Sequence, residues 1–254
     1  YILDGSVRKL GNKMRITTSL TNVQNESTVW SEKFDTTIDE IFDTQDEIIE
    51  TIVATIAGRV EVSETKRVSN ARPENLSAYD MVLQGLEYHR RSNLTRSEAP
   101  KALALFEKAI ETDPTYARAY AWKACSLANC AGWQPEAYPK DWFDICRASA
   151  SRALELDPDD HEANRIMGSI SLNLRDFDLA RHHHDRAEEL CPSDSYIIGK
   201  NAEMRLYLGE PQEGLEKVAW AMRINPFCPD DLLEKDGKCH FWLDEFESAL
   251  ASLK

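Results

Sequence analysis

ELDPDDHEANRIMGSISLNLRDFDLARHHHDRAEELCP, residues 155–192, begins and ends on the same device: an amphipathic helix closed by a proline. Glu155-Leu-Asp-Pro158 and Glu189-Leu-Cys-Pro192 lie 34 residues apart. The ending recurs 34 residues later in Arg223-Ile-Asn-Pro226, and 44 residues earlier in Glu111-Thr-Asp-Pro114. Proline cannot continue a helix, so each copy marks a stop. Between successive stops lie two helical runs, and each repeat therefore reads as a helix pair. One such pair cannot bury its apolar face alone, so the copies must stack.

The interior of each copy carries further spacing. Gly168 is followed twelve residues on by Ala180, and Ala202 by Gly214, small residues that let two helix backbones approach. Phe106, Ala109 and Pro114 give the large, small and closing positions, repeated as Ala187 with Pro192 and Ala221 with Pro226. Gly237 and Ala249 open a fifth copy. Period, small pair and closing proline resemble the tetratricopeptide repeat (TPR), which implies a right-handed superhelix of about five helix pairs. Two copies depart from it. Gly85 and Ala102 are seventeen apart, giving a long connection over 91–97, and Ala124 and Cys146 are twenty-two apart, with the excess around 131–140.

Upstream, the period changes from helical to alternating. Ile2 to Lys9, Met14 to Leu20 and Thr28 to Phe34 read as three short strands, with turns at Gly11-Asn12-Lys13 and Gln24-Asn25-Glu26-Ser27. Tight turns between them predict an antiparallel meander. Thr37 with Glu40, and Thr44 with Glu47, form capping boxes. Ile48, Ile49, Ile52, Val53, Ile56 and Val60 then make one apolar stripe, expected to cover the sheet. The polar stretch around Pro73 is read as a linker. The fold class is thus α+β, with a small domain over 1–68, a linker over 69–75 and an all-α TPR domain over 76–254.

The strand region also resembles a family. Leu3-Asp-Gly-Ser-Val-Arg-Lys, Arg15-Ile-Thr-Thr-Ser-Leu20, Val29-Trp30-Ser-Glu-Lys-Phe-Asp35 and Ile41-Phe-Asp-Thr-Gln-Asp-Glu-Ile48 are similar to the tail of the TolB-like domain. That domain precedes TPR repeats in bacterial class III adenylate/guanylate cyclases and also follows winged-helix domains in some transcriptional activators. The resemblance implies a piece of a longer protein, a regulatory module behind an upstream cyclase domain, with the activator parent as the alternative. No segment matches the metal-binding or purine-selecting motifs of a cyclase, so no catalytic residue is carried over.

Composition narrows the partners. Lysine and arginine number 30 against 44 aspartates and glutamates, a formal charge of -14. That balance disfavours nucleic acid and anionic membrane surfaces and favours a basic protein or peptide. No apolar run reaches the ~18–20 residues that span a bilayer. Six cysteines (Cys125, Cys130, Cys146, Cys191, Cys228, Cys239) contain no C-x-x-C pair. They read as free thiols of a cytoplasmic chain, with a periplasmic setting and disulfides as the alternative.

Nothing in the sequence groups catalytic side chains. Phosphate-cradling, dinucleotide, zincin and nucleophile-elbow motifs are absent, so the segment is expected to be non-catalytic and to need no cofactor. His182-His183-His184 cannot all face one metal, because adjacent helical residues diverge by about 100°. His184 falls where the repeat wants a large core residue. Asp159-Asp160 and Asp230-Asp231 follow closing prolines and suit helix N-termini. Trp122 and Trp220 read as packing; Trp133, Tyr138 and Trp142, beside the second copy's insertion, read as a cap on the scaffold or an anchor for a partner.

TPR arrays bind along the concave face formed by the first helix of each pair. Projecting that face gives Tyr79, Val82, Leu86 and His89, then Arg118, Cys125 and Asn129. The third copy adds Glu162, Arg165, Ser169 and Asn173, and the fourth Tyr196, Glu203 and Tyr207. Arg118, Arg165, Asn129 and Asn173 could grip a peptide backbone or carboxylate. The Lys/Asn clamp that some eukaryotic TPR proteins use for chaperone tails is not reproduced. A first strand with an open edge would pair with a second copy through residues 1–10, giving a homodimer.

Overall fold

The computed structural model describes residues 1–23, 26–40, 49, 52, 56, 60, 77–92, 95–225 and 230–253. The Thr44/Glu47 capping box, the linker at 69–75 and Pro226 lie outside these residues. So does most of the expected covering helix, of which Ile49, Ile52, Ile56 and Val60 are helical.

Strands β1 (Ile2–Leu10), β2 (Lys13–Asn22) and β3 (Ser27–Thr37) form an antiparallel sheet in that order. Gly11, at φ 62°, makes the first turn in a backbone region that glycine enters without strain. Leu20 pairs with Trp30, and this apolar couple is buried. Thr21 pairs next with Thr28, so Val29 is an extra residue that bulges β3. On the other face Arg15 pairs with Asp35 through two hydrogen bonds of 2.6 and 2.7 Å. β1 is exposed along its whole length, and no described strand pairs with its outer edge.

From residue 78 onward, ten α-helices are found among the described residues, and they fall into five pairs. These are α1 (Ala78–Ser92) with α2 (Ala99–Thr112), α3 (Ala117–Trp133) with α4 (Trp142–Leu156), and α5 (His161–Asn173) with α6 (Phe177–Leu190). The last two are α7 (Ser195–Tyr207) with α8 (Pro211–Ile224), and α9 (Asp230–Trp242) with α10 (Phe246–Ser252). The two irregular copies are explained by helix length. α5, α7 and α9 have 13 residues each, whereas α1 has 15 and α3 has 17. The insertions are therefore partly extra helix, with a short 3₁₀ turn after each (Arg96–Glu98 and Pro135–Ala137).

The helix ends show why these residues fold so. Asp160, Asp176 and Asp194 are N-caps whose carboxylates accept backbone N–H groups of the first turn, Ala163 at 2.8 Å, Leu179 at 3.2 Å and Tyr196 at 2.8 Å. At the other end of the first helices, one turn recurs in three copies. Arg175, Gly209 and Asp244 have φ of 59°, 77° and 60°. Each is followed by a residue whose N–H reaches back along the helix: Asp176 to Ser171, Glu210 to Arg205 and Glu245 to His240. This Schellman geometry absorbs carbonyls that the helix leaves unpaired.

Within each pair, small residues set the approach. A Cβ on Gly214 would lie 3.2 Å from the Ala202 carbonyl, matching the pairing read from the spacing. A Cβ on Gly168 would meet the His184 ring at 2.6 Å. His184 is buried and fills the large core position, as the repeat requires.

Candidate partner-binding groove

The first helices of successive pairs pack on one another, α1 on α3, α3 on α5, α5 on α7 and α7 on α9. They form one inner layer, and their facing side chains meet across it.

Arg165 is the centre of this layer. Its side chain is 3% exposed and its Nε donates to Glu162 at 2.6 Å. The guanidinium lies over the Trp122 ring at 5.5 Å and over Tyr196 at 5.2 Å, joining the second, third and fourth copies. Burial lowers the pKa of Arg165, but Glu162, together with Tyr196 and Cys125, outweighs it, so the group is held above its ordinary value and stays charged. Trp122 stacks on Phe106 at 6.3 Å and meets the edge of His89 at 5.1 Å. Toward the fifth copy, Lys200 lies 5.8 Å from the Tyr196 ring and donates to Glu203 at 2.8 Å, and buried Lys235 pairs with Asp231. Burial raises the Glu203 carboxyl, yet Lys200 and Lys235 bring it below its usual range. Lys200, Lys235 and the wall formed by Trp122 were not in the projected face. The i, i+4 spacing of Lys200 from Tyr196 and of Lys235 from Asp231 was the signal for the two lysines.

The projected residues separate into three groups. Tyr79, Tyr196 and Tyr207 are exposed, Tyr207 at 65%. Arg118, Asn129, Glu203 and Ser169 are half-buried; Arg118 donates to the buried carboxylate of Asp160 at 2.9 Å. Glu162 and Arg165 are buried against each other, and exposed Asn173 donates to its own helix at Ser169 O, 2.9 Å. Val82 and Leu86 do not face the groove; they are core residues beside Phe106 and Trp122. An inner helix is covered by its own partner and by the next copy, so only a narrow strip remains open.

The insertion aromatics pack on the scaffold. Trp133, Tyr138 and Trp142 lie against the core formed by Leu127, Cys130 and Cys146, with Arg96 over Trp133 at 5.7 Å. In the histidine run, His183 Nδ1 sits 3.0 Å from Asn164 Oδ1, and His182 turns its ring to His183. Among the described residues, no group of three His, Cys, Asp or Glu side chains could hold a metal ion. The five described cysteines are free. No described helix is long and apolar enough to cross a membrane.

Comparison with solved structures agrees with this layout. A thermophilic TPR protein of Thermus thermophilus, TTC0263, superposes over 82% of this chain and 98% of its own, with a TM-score of 0.52 at 16% identity. The chain folds as a TPR superhelix. One chain of the APC/C hetero-tetramer Cut9-Hcn1 matches over 76% of this chain and 35% of its own length, with a TM-score of 0.55 at 15% identity. By sequence, the chain is 28% identical over 121 residues to a Rhizobium meliloti (strain 1021) protein named "Putative adenylate cyclase 3". It is 33% identical over 109 residues to Tetratricopeptide repeat protein 37 of Xenopus laevis. These stretches cover 48% and 43% of the chain but only 20% and 6% of the two relatives. No family model matches the chain.

Proposed function

We propose that this TPR array is a non-catalytic interaction module that holds a basic protein segment along its inner layer. The observation that carries the reading is the continuous run His89, Trp122, Arg165, Tyr196 and Lys200, which joins the inner helices into one layer whose exposed aromatic side chains are Tyr79, Tyr196 and Tyr207. Tyrosine offers large contact area at low entropic cost. Arg165 and Lys200 of this run, and Lys235 beyond it, are already neutralised by Glu162, Glu203 and Asp231, so the net charge of -14 governs what approaches. Arg118, Asn129 and Asn173 complete the contact set.

The module belongs, in this reading, to a cytoplasmic cyclase-like signalling protein, with residues 1–68 as the tail of a TolB-like domain. The relative named for an adenylate cyclase supports that parent over the winged-helix activator. Exposed Ile2, Leu3, Val7 and Leu10 on β1 supply a second surface, through which two copies pair edge to edge.

Anisotropy titration with length-matched basic, neutral and acidic peptides tests the groove. The reading requires the basic set to bind best, salt to weaken it, and the double substitution Tyr196→Ala, Tyr207→Ala to weaken it at least tenfold. Equal or tighter binding of the acidic set would count against it.

A further inference from the structure

Cys125, which the proposed peptide contacts do not use, lies in the inner layer beside two of the residues of that run. Cys125, on α3, is half-buried, and its Sγ lies 3.7 Å from Nε2 of His89 on α1. The other imidazole nitrogen, Nδ1, is 2.9 Å from the hydroxyl of Ser126, which is fully buried. With its proton on Nδ1 and donated to Ser126 Oγ, the ring presents the Nε2 lone pair to the thiol. A nucleophile, a base and a group that orients the base are thus in place.

A second observation comes from the third copy. The charge of Arg165 acts on the same thiol, and its buried Nη2 has no hydrogen-bond partner among the described residues. A buried guanidinium N–H left unpaired is costly, and an anion or oxygen at Cys125 is what would satisfy it. The groups around the sulfur are His89 from α1, Arg165 with its partner Glu162 from α5, Cys146 from α4 and Tyr196 from α7.

We propose that Cys125 is an oxidant-sensitive thiol built into the groove, which reacts with hydroperoxides while His89 handles the proton and Arg165 receives the product oxygen. His89 Nε2 takes the thiol proton, and the thiolate attacks one peroxide oxygen. The S–O bond forms as the O–O bond breaks, and the leaving oxygen takes the proton from His89. Sulfur loses two electrons and the peroxide gains them, so thiol and hydrogen peroxide give sulfenic acid and water. The sulfenic oxygen then accepts the spare N–H of Arg165, beside the Trp122 and Tyr196 rings. Oxidation would therefore alter the surface on which a partner rests.

The other thiols provide the contrast. Burial pushes the Cys125 thiol up, but the charge and hydrogen bond of His89, with the charge of Arg165, outweigh it, leaving a pKa of about 7. Cys146 and Cys239 are buried and pushed up to about 12 and about 11. Cys191 is also half-buried, yet burial and Asp194 raise it. A two-unit difference in pKa changes the thiolate fraction at pH 7 about fiftyfold, and the lower nucleophilicity of the weaker base returns about tenfold of that. The net advantage is about fivefold.

The test is the pH profile of iodoacetamide alkylation at each cysteine of the folded protein, read by peptide mass spectrometry, with dimedone trapping after stoichiometric hydrogen peroxide. The expected result is alkylation of Cys125 at least about fivefold faster than Cys191 at pH 7, half-maximal near pH 7, with the dimedone adduct on Cys125. His89→Gln or His89→Asn, whichever keeps the wild-type circular dichroism, should move the midpoint up by a pH unit or more. Equal rates at Cys125 and Cys191, a midpoint near 9, or a midpoint unmoved in a folded His89 variant would overturn the proposal.

Discussion

Arg165 on α5 and Tyr196 on α7 face each other across the boundary between the third and fourth copies, guanidinium to ring at 5.2 Å. The same guanidinium neutralises Glu162, which is buried with it. A buried pair contributes little over an apolar pair of the same shape, but losing one partner strands the other charge. Arg165→Met should therefore lower the unfolding free energy by about 3–5 kcal/mol, and Arg165→Met with Glu162→Leu should recover most of it. Urea denaturation of both variants checks this. A single variant within about 1 kcal/mol of wild type would mean that Glu162 is better solvated than the fold implies.

Acid should weaken the array through His184. Burial against Gly168, together with the nearby Arg165 charge, lowers its pKa to about 3, so the folded protein keeps it neutral. In the unfolded chain the ring protonates near its ordinary value of about 6.5. Between these values the unfolded state binds more protons, so this stability is complete above about pH 6.5 and is lost as pH falls toward 3. The slope from this one group is about 1.4 kcal/mol per pH unit. Denaturation midpoints from pH 7.5 to 4.5 should show it, and His184→Leu should flatten it relative to wild type.

The recurring turn gives opposite effects at equivalent positions. Gly209 sits at φ 77°, where a side chain is strained, and nothing lies within 4 Å of an added Cβ. Gly209→Ala should thus cost about 1 kcal/mol from the backbone alone, while Arg175→Gly should stabilise by a few tenths to about 1 kcal/mol. Thermal melts of the two variants decide it; a stabilising Gly209→Ala would remove the strain argument.

The residues differ in how openly they announced their places. The repeat was legible because prolines and small residues are read by chain geometry alone, and Pro158, Pro192, Gly168 and Gly214 do not depend on what surrounds them. The cap role of Asp160 was legible for the same reason. Arg175 was not, because an arginine in a left-handed turn is held there by the helix end and carries no compositional mark. Nor was the depth of Arg165, since a charge on an inner helix reads as solvated until Trp122, Tyr196 and Glu162 close over it. Val82 and Leu86 fall on the inner face by helical spacing alone, but the two neighbours covering each inner helix bury them. The interval between Gly85 and Ala102 could be counted, but its division between extra helix and 3₁₀ turn depends on packing that spacing does not encode.

The most direct measurement is hydrogen–deuterium exchange of the protein with and without the tightest-binding basic peptide. A partner held in the groove predicts protection confined to α1, α3, α5 and α7, centred on the segments carrying Arg118, Asn129, Glu162, Tyr196 and Glu203. Protection on the outer helices α2, α4, α6 and α8, or on the sheet alone, would contradict it.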